Sequence, residues 1–220
     1  MTVEFADVQR LPLPEKAHTM WVRDELADYL HVPHDGSRVE IVGGEIVVSP
    51  GPALNHNNIV ATIQDAMAVA RAREKDFPWR AVQTTDLNLA EIQDGYIPDL
   101  IVLHEKKLRA ALDAGARYVM STDVAMAVEV ASPSNAGNDR QPGLHHRKDT
   151  KWTGYARCGI PHYLVVDCAP SACLATLFAD PAPEARAYCA VTTWKFGETI
   201  TLPEPYGVDI ETEDWEPWTP

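Results

Sequence analysis

Apolar positions recur along the chain with two different spacings, and the switches between them mark out its elements. In "TMWVRDELADYL", Trp21, Glu25 and Tyr29 fall on one line and Val22, Leu26 and Leu30 on the next. That period predicts a helix capped by Thr19 and ending near His31. Residues 54 to about 73 repeat the spacing through Ile59, Ile63, Ala66, Met67 and Ala70, with His56 one turn inside the start. Between these helices, "RVEIVGGEIVVSP" joins two short β-branched runs through Gly43-Gly44. It predicts a hairpin, with Glu40 and Glu45 flanking the turn.

After Pro78 the pattern becomes that of strands. "WRAVQTTDLNLA" alternates, and "YIPDLIVLH" is a short apolar run introduced by Pro98-Asp99. Residues 105 to 122 read as partly helical and lead to the strand "VAMAVEVAS". A polar loop, "PSNAGNDRQPGLHH", precedes a helix, "RKDTKWTGYARCG", that Gly159 and Pro161 stop. "HYLVVD", "ACLATLFA", "AYCAVTTWKF" and "TITLP" follow as strands. The sum is an α+β domain, a mixed sheet covered by two or three helices. Its expected limits are residues 19 to 212, between a flexible segment at 1 to 18 and an acidic tail at 213 to 220.

At 220 residues the chain is long enough for a core of its own. No stretch reads as a signal peptide or a membrane span, so the expectation is a cytoplasmic protein with no membrane partner. Cys158, Cys168, Cys173 and Cys189 form no C-x-x-C pair and read as reduced, buried thiols. A formal charge of −13 argues against broad electrostatic affinity for nucleic acid. The charge is uneven, however: the stretch from Arg140 to Arg157 contains five bases opposed only by Asp149.

Two acids stand where the pattern expects apolar residues. Asp99 opens one buried run and Glu129 lies inside another, "AMAVEVASPS", and neither has a basic neighbour in sequence. An unpaired buried carboxylate costs several kcal/mol, on the order of magnitude. A hard divalent cation between strands would remove that cost, since Mg²⁺ is commonly held by one or two carboxylates together with waters and substrate phosphates. The bland alternative is that each acid caps a turn or pairs with an arginine.

"VEIVGGEIVVSPGPALNH", "PDLIVL", "VEVASPSN", "NDR" and the spaced pattern from Lys151 to Asp167 occur in the order found in the Uma-two family. The chain resembles that family of restriction-endonuclease-like proteins, a branch of the PD-(D/E)XK nuclease superfamily, from about Met20 to Asp167. The resemblance implies a restriction-endonuclease-like fold, a mixed sheet flanked by helices. It also implies an Mg²⁺- or Mn²⁺-dependent endonuclease hydrolysing DNA by a metal-activated water. Asp99 and Glu129 would be the metal ligands. The superfamily lysine lies two residues after the second acid, where this chain has Ala131. The family instead has a lysine four residues before a tyrosine on the next helix, here Lys151 with Tyr155, and Lys148 is one turn earlier.

Further positions carry weaker expectations. Glu45 and His56 match recurrent family positions and read as accessory groups; Arg140 and Arg147 read as phosphate contacts. His145-His146 reads as a solvated pair, and Trp152 and Trp194 as core residues or base-stacking surfaces. A homodimer would suit cleavage of both strands of a duplex. The rival readings are a non-catalytic descendant serving as a nucleic-acid or protein interaction module, and an enzyme acting on another phosphate ester.

Overall fold

Gly43 and Gly44 take φ of 60° and 77°, values that glycine adopts without steric cost. They fold β1 (Arg38–Val42) back onto β2 (Glu45–Ser49), as the sequence predicts, with Val42 opposite Glu45. The structure, a computed structural model, describes residues 13–143 and 148–218. Ahead of the hairpin lie two short helices instead of the one expected, α1 (Ala17–Val22) and α2 (Leu26–Tyr29). The break falls at Asp24, whose φ of 62° cannot continue a right-handed helix. Lys16, rather than Thr19, is the N-cap, so the segment expected to be flexible overlaps α1 at its end.

Two expected runs each divide between two sheets. "WRAVQTTDLNLA" breaks near Thr84, at φ 49°, into β3 (Trp79–Gln83) and β4 (Leu87–Leu89). The run through Pro98-Asp99 divides into β5 (Asp94–Tyr96) and β6 (Leu100–His104). The helix α4 (Glu105–Asp113) and the short β7 (Val119–Met120) lead to β8 (Val124–Ala131). A small sheet then has the order β2-β1-β5-β4-β7, in place of the single sheet expected. The large sheet adds β9 (His162–Asp167), β10 (Leu174–Ala182) and β11 (Ala187–Lys195), in the order β11-β10-β9-β8-β6-β3. Asp99 lies on the strip of chain that passes from one sheet to the other.

The central strands of the large sheet, β6, β8 and β9, are buried on both faces, which is why they read as continuous apolar runs. On one face, Leu100, Val102, Met126, Val128 and Leu164 pack against Ile59, Ile63 and Met67 of α3 (Leu54–Arg73). On the other, Ile101, Leu103, Ala127 and Tyr163 pack against Trp152, Tyr155 and Ala156 of α6 (Lys151–Arg157). The polar loop before α6 contains a further turn of helix, α5 (Ala136–Asp139). Strands β8 and β9 are parallel, so the chain must cross over between them, and α6 lies on that crossover.

A ribbon of β12 (Ile200–Thr201) and β13 (Asp209–Ile210) ends the fold; the second of these strands carries no signal in the sequence. The expected acidic tail is docked through residue 218: Trp215 is buried against Phe196, and the Trp218 N–H donates to the Cys168 carbonyl at 2.9 Å. All four cysteines are free, but Cys189 is exposed and Cys158 and Cys173 are half-buried, contrary to the buried reading. Among the described residues no helix is long and apolar enough to cross a membrane.

Candidate active site

The register of β6 against β8 sets Leu100 opposite Val128, and one step further along the antiparallel pair sets Asp99 opposite Glu129. Directly opposed residues share a face, and both acids line one cavity of about 600 Å³. Asp99 is held from three elements. Its Oδ1 accepts from Arg38 Nη1 of β1 at 2.8 Å, and its Oδ2 from the Val130 N–H of β8 at 2.9 Å. His56 Nε2, in the first turns of α3, lies 2.9 Å from Oδ1, but off the line a hydrogen bond requires. Burial alone would raise the pKa of Asp99; His56, the Val130 N–H and Arg38 outweigh it and hold the carboxyl at about 2.

Glu129 lies in the opposite electrostatic situation. Its Oε1 accepts from Lys151 Nζ at 3.0 Å and from the Tyr155 hydroxyl at 2.7 Å. The same ammonium is 2.8 Å from Glu40 Oε1 and 3.7 Å from Asp139 Oδ1. Lys151 is thus surrounded by three acids and is only 4% exposed. Burial pushes Glu129 well above the usual carboxylate range, against the pull of Lys151, and Asp139, Asp99 and Glu40 add to the rise. Asp139 is raised to about 7, chiefly by burial, with Lys151 opposing. Burial and Glu129 likewise keep the Tyr155 phenol far above its ordinary value, so it remains a donor.

Local sequence explains these positions. Thr150 caps α6 and starts the helix at Lys151, and the i, i+4 spacing puts Lys151 and Tyr155 on the same side of it. Gly154 leaves room below them: a Cβ there would overlap the Tyr96 hydroxyl. That hydroxyl donates to Asp94, whose two oxygens also accept the N–H groups of Gly43 and Gly44, locking the hairpin that carries Glu40.

Of the residues singled out from sequence, Asp99, Glu129, Lys151 and His56 line the cavity together, and Tyr155 supports Glu129 from behind. Glu45 and Lys148 do not join them. They pair with each other at 2.8 Å on the surface, 60% and 68% exposed, because Glu45 points outward at the far side of the Gly-Gly turn. Arg140 is tied to Asp167 by two bonds of 2.6 and 2.7 Å. Arg147 and His145-His146 lie outside the described residues. Trp152 is core, packed on Phe178 and Tyr188, and Trp194 packs against the α3 side of the sheet.

Sequence reasoning missed Arg38, Glu40 and Asp139. Glu40 could have been found by the criterion that picked Glu129, an acid between apolar strand residues in "VEIV"; Asp139, in a polar loop, gave no signal. Among the described residues no three His, Cys, Asp or Glu side chains form a ready-made metal cage.

A family model described as "Uma2: Putative restriction endonuclease" matches residues 26–213. The chain belongs to the Uma2 family. That match takes in Arg38, Glu40, His56, Asp99, Glu129, Asp139 and Lys151, every charged group of the cavity except Glu216. Among solved structures, the crystal structure of a putative nuclease belonging to DUF820 from Anabaena variabilis ATCC 29413 aligns at a TM-score of 0.57. It shares 12% identity, over 85% of this chain and 94% of that one, and at that identity the likeness is one of fold. No curated protein matches the sequence. The Uma2 assignment and the nuclease-like fold agree with the class expected from the ordered motifs.

Proposed function

We propose that this Uma2 chain is a metal-dependent endonuclease that hydrolyses DNA phosphodiesters, with Asp99 and Glu129 holding the metal and Lys151 beside them. The observation that carries the reading is the cross-strand placement of Asp99 and Glu129 on one cavity with the Lys151 ammonium 3.0 Å from Glu129. The donor set suits a hard divalent cation. Glu40, Asp99, Glu129, Asp139 and Glu216 line the cavity against only Arg38 and Lys151, with His56 beside them. In addition, Asp139 Oδ1 is buried without a hydrogen-bond partner. Mg²⁺ and Mn²⁺ need few protein ligands when waters and phosphate oxygens complete the shell. Bound there, the ion supplies Lewis-acid polarisation of a phosphate oxygen and a water of lowered pKa.

In the hydrolysis a water oxygen bonds to phosphorus, the bond to the leaving sugar oxygen breaks, and that oxygen takes up a proton. Lys151 puts a fixed positive charge where negative charge builds on the phosphoryl oxygens. Glu40 and Asp139 keep that ammonium from swinging away, and His56, the Val130 N–H and Arg38 together hold Asp99 ionised.

One observation favours the rival reading of a non-catalytic scaffold. Arg38, His56 and Lys151 already oppose the acids, so a structural ion-pair cluster would look similar. Calorimetric titration with Mn²⁺, alongside cleavage of single-stranded and plasmid DNA, separates the two. Binding and nicking that are both lost in Asp99→Asn and Glu129→Gln are expected. A chain that ignores Mn²⁺, or variants that cut as well as the parent, would leave the scaffold reading.

A further inference from the structure

The C-terminal segment lies beyond the family match, yet it forms part of the cavity wall through Glu216, Pro217 and Trp218. It is pinned by two hydrogen bonds to residues that also line the cavity. The Glu216 carbonyl accepts from Asn55 Nδ2 at the start of α3 at 2.9 Å, and the Trp218 N–H donates to Cys168 just past the end of β9. Trp215 anchors the segment behind, buried against Phe196. With Pro50, Pro52, Pro133 and Pro217, it adds apolar lining to the cavity that the acids also line.

We infer that this segment makes the site selective for single-stranded DNA, with Trp218 as the surface on which a base next to the scissile phosphate stacks. The inference rests on the nuclease reading above and adds the substrate class. Three observations carry it. The first is scale: a pocket of about 600 Å³ is in the range that encloses one small ligand, room for one or two nucleotides of a strand. The second is charge. Proteins that follow a duplex do so with unpaired Lys and Arg along its phosphates. Here the described bases near the cavity are already matched: Arg38 with Asp99, Lys148 with Glu45, Lys151 with Glu40 and Glu129, Arg140 with Asp167, and Arg157 with Asp149. A ligand must then be held at few phosphates, and Glu216 on the rim disfavours more. The third is the lining itself, an aromatic and prolines on the same cavity as the acids, since base stacking on an aromatic ring is how proteins grip single strands irrespective of sequence.

The test uses the full chain with a 20-nucleotide single strand carrying 2-aminopurine, and the same strand annealed to its complement, both in Mg²⁺. Wild type is expected to cut the single strand at least about tenfold faster than the duplex and to quench the 2-aminopurine on binding. Trp218→Ala should raise KM for the single strand about tenfold with kcat little changed, the loss of one base contact. Trp218→Phe should restore most of it, which a merely structural role would not predict. Equal cleavage of duplex and single strand, or a Trp218→Ala variant with unaltered KM and quenching, overturns the inference and leaves the nuclease reading standing. Quenching by the single strand that depends on Trp218, without cleavage, removes the nuclease reading and keeps only Trp218 as a base-stacking surface for single strands; neither quenching nor cleavage removes both.

Discussion

Replacing Lys151 with methionine removes one ammonium while keeping most of the side-chain volume, and the structure gives the consequence a size and a pH dependence. Lys151 lies 2.8 Å from Glu40, 3.0 Å from Glu129 and 3.7 Å from Asp139, all of them buried. Removing one partner of a buried ion pair costs about 3–5 kcal/mol, a large part of the roughly 5–15 kcal/mol by which domains are stable. In chains of this size about 1 kcal/mol moves Tm by roughly 2–4 °C, so the expected fall is on the order of 6–20 °C.

The loss should depend on pH. Burial raises Glu129 well above its ordinary value and takes Asp139 to about 7, and Lys151 is the charge that restrains both. Without it both rise further. An acid with a higher pKa folded than unfolded binds its proton more tightly in the folded state, so stability falls as pH climbs from the unfolded value to the folded one. For Lys151→Met that window runs from about pH 4, the value of a free carboxylate, up past neutrality. The penalty is therefore small at pH 5, where Glu129 and Asp139 keep their protons in the fold, and larger at pH 8. Urea unfolding of parent and variant at both values measures it, and adding Glu129→Gln should recover part of the loss at pH 8 only. Equal losses at the two values, or a loss below about 1 kcal/mol at pH 8, would refute the assignment of Lys151 as the charge that makes the acid cluster tolerable.

Gly154→Ala should destabilise the fold by about 1–3 kcal/mol, the range for overpacking a close-packed core, because its Cβ would overlap the buried Tyr96 hydroxyl; thermal unfolding checks it. Ala131 lines the cavity two residues after Glu129, where the nuclease superfamily has its lysine. Lys151→Ala should abolish Mg²⁺-dependent cleavage, and adding Ala131→Lys should restore part of it, as single-turnover rates would show.

The positions of Asp99 and Glu129 could be read because a charge inside an apolar run contradicts its surroundings, and only a few kinds of site resolve that contradiction. The same rule would have found Glu40, but the Gly-Gly turn three residues away made it look like an ordinary turn flank. Asp139 is buried by α5 packing against α6, and in a polar loop of the sequence nothing announces that. The division into two sheets was hidden for a related reason. It depends on single residues at positive φ or on a Pro-Asp step, which interrupt a strand without interrupting its alternation of apolar and polar positions.

The displaced lysine shows where linear spacing fails and topology takes over. Counted along the chain, Lys151 is far from Glu129, and the superfamily position two residues on is an alanine, so by spacing the motif is broken. In three dimensions β8 and β9 are parallel neighbours, and a parallel pair requires a crossover that leaves past the end of one strand and packs over the sheet before entering the next. The first residue of the crossover helix then lies above the end of β8, on the face that bears Ala127 and Glu129. An ammonium at that helix start reaches the same carboxylate that a lysine two residues along the strand would approach from beside it. The same grouping of charges can therefore be built from residues that lie on different elements. In this chain Lys151 at the N-terminus of the crossover helix and Tyr155 four residues later both reach Glu129.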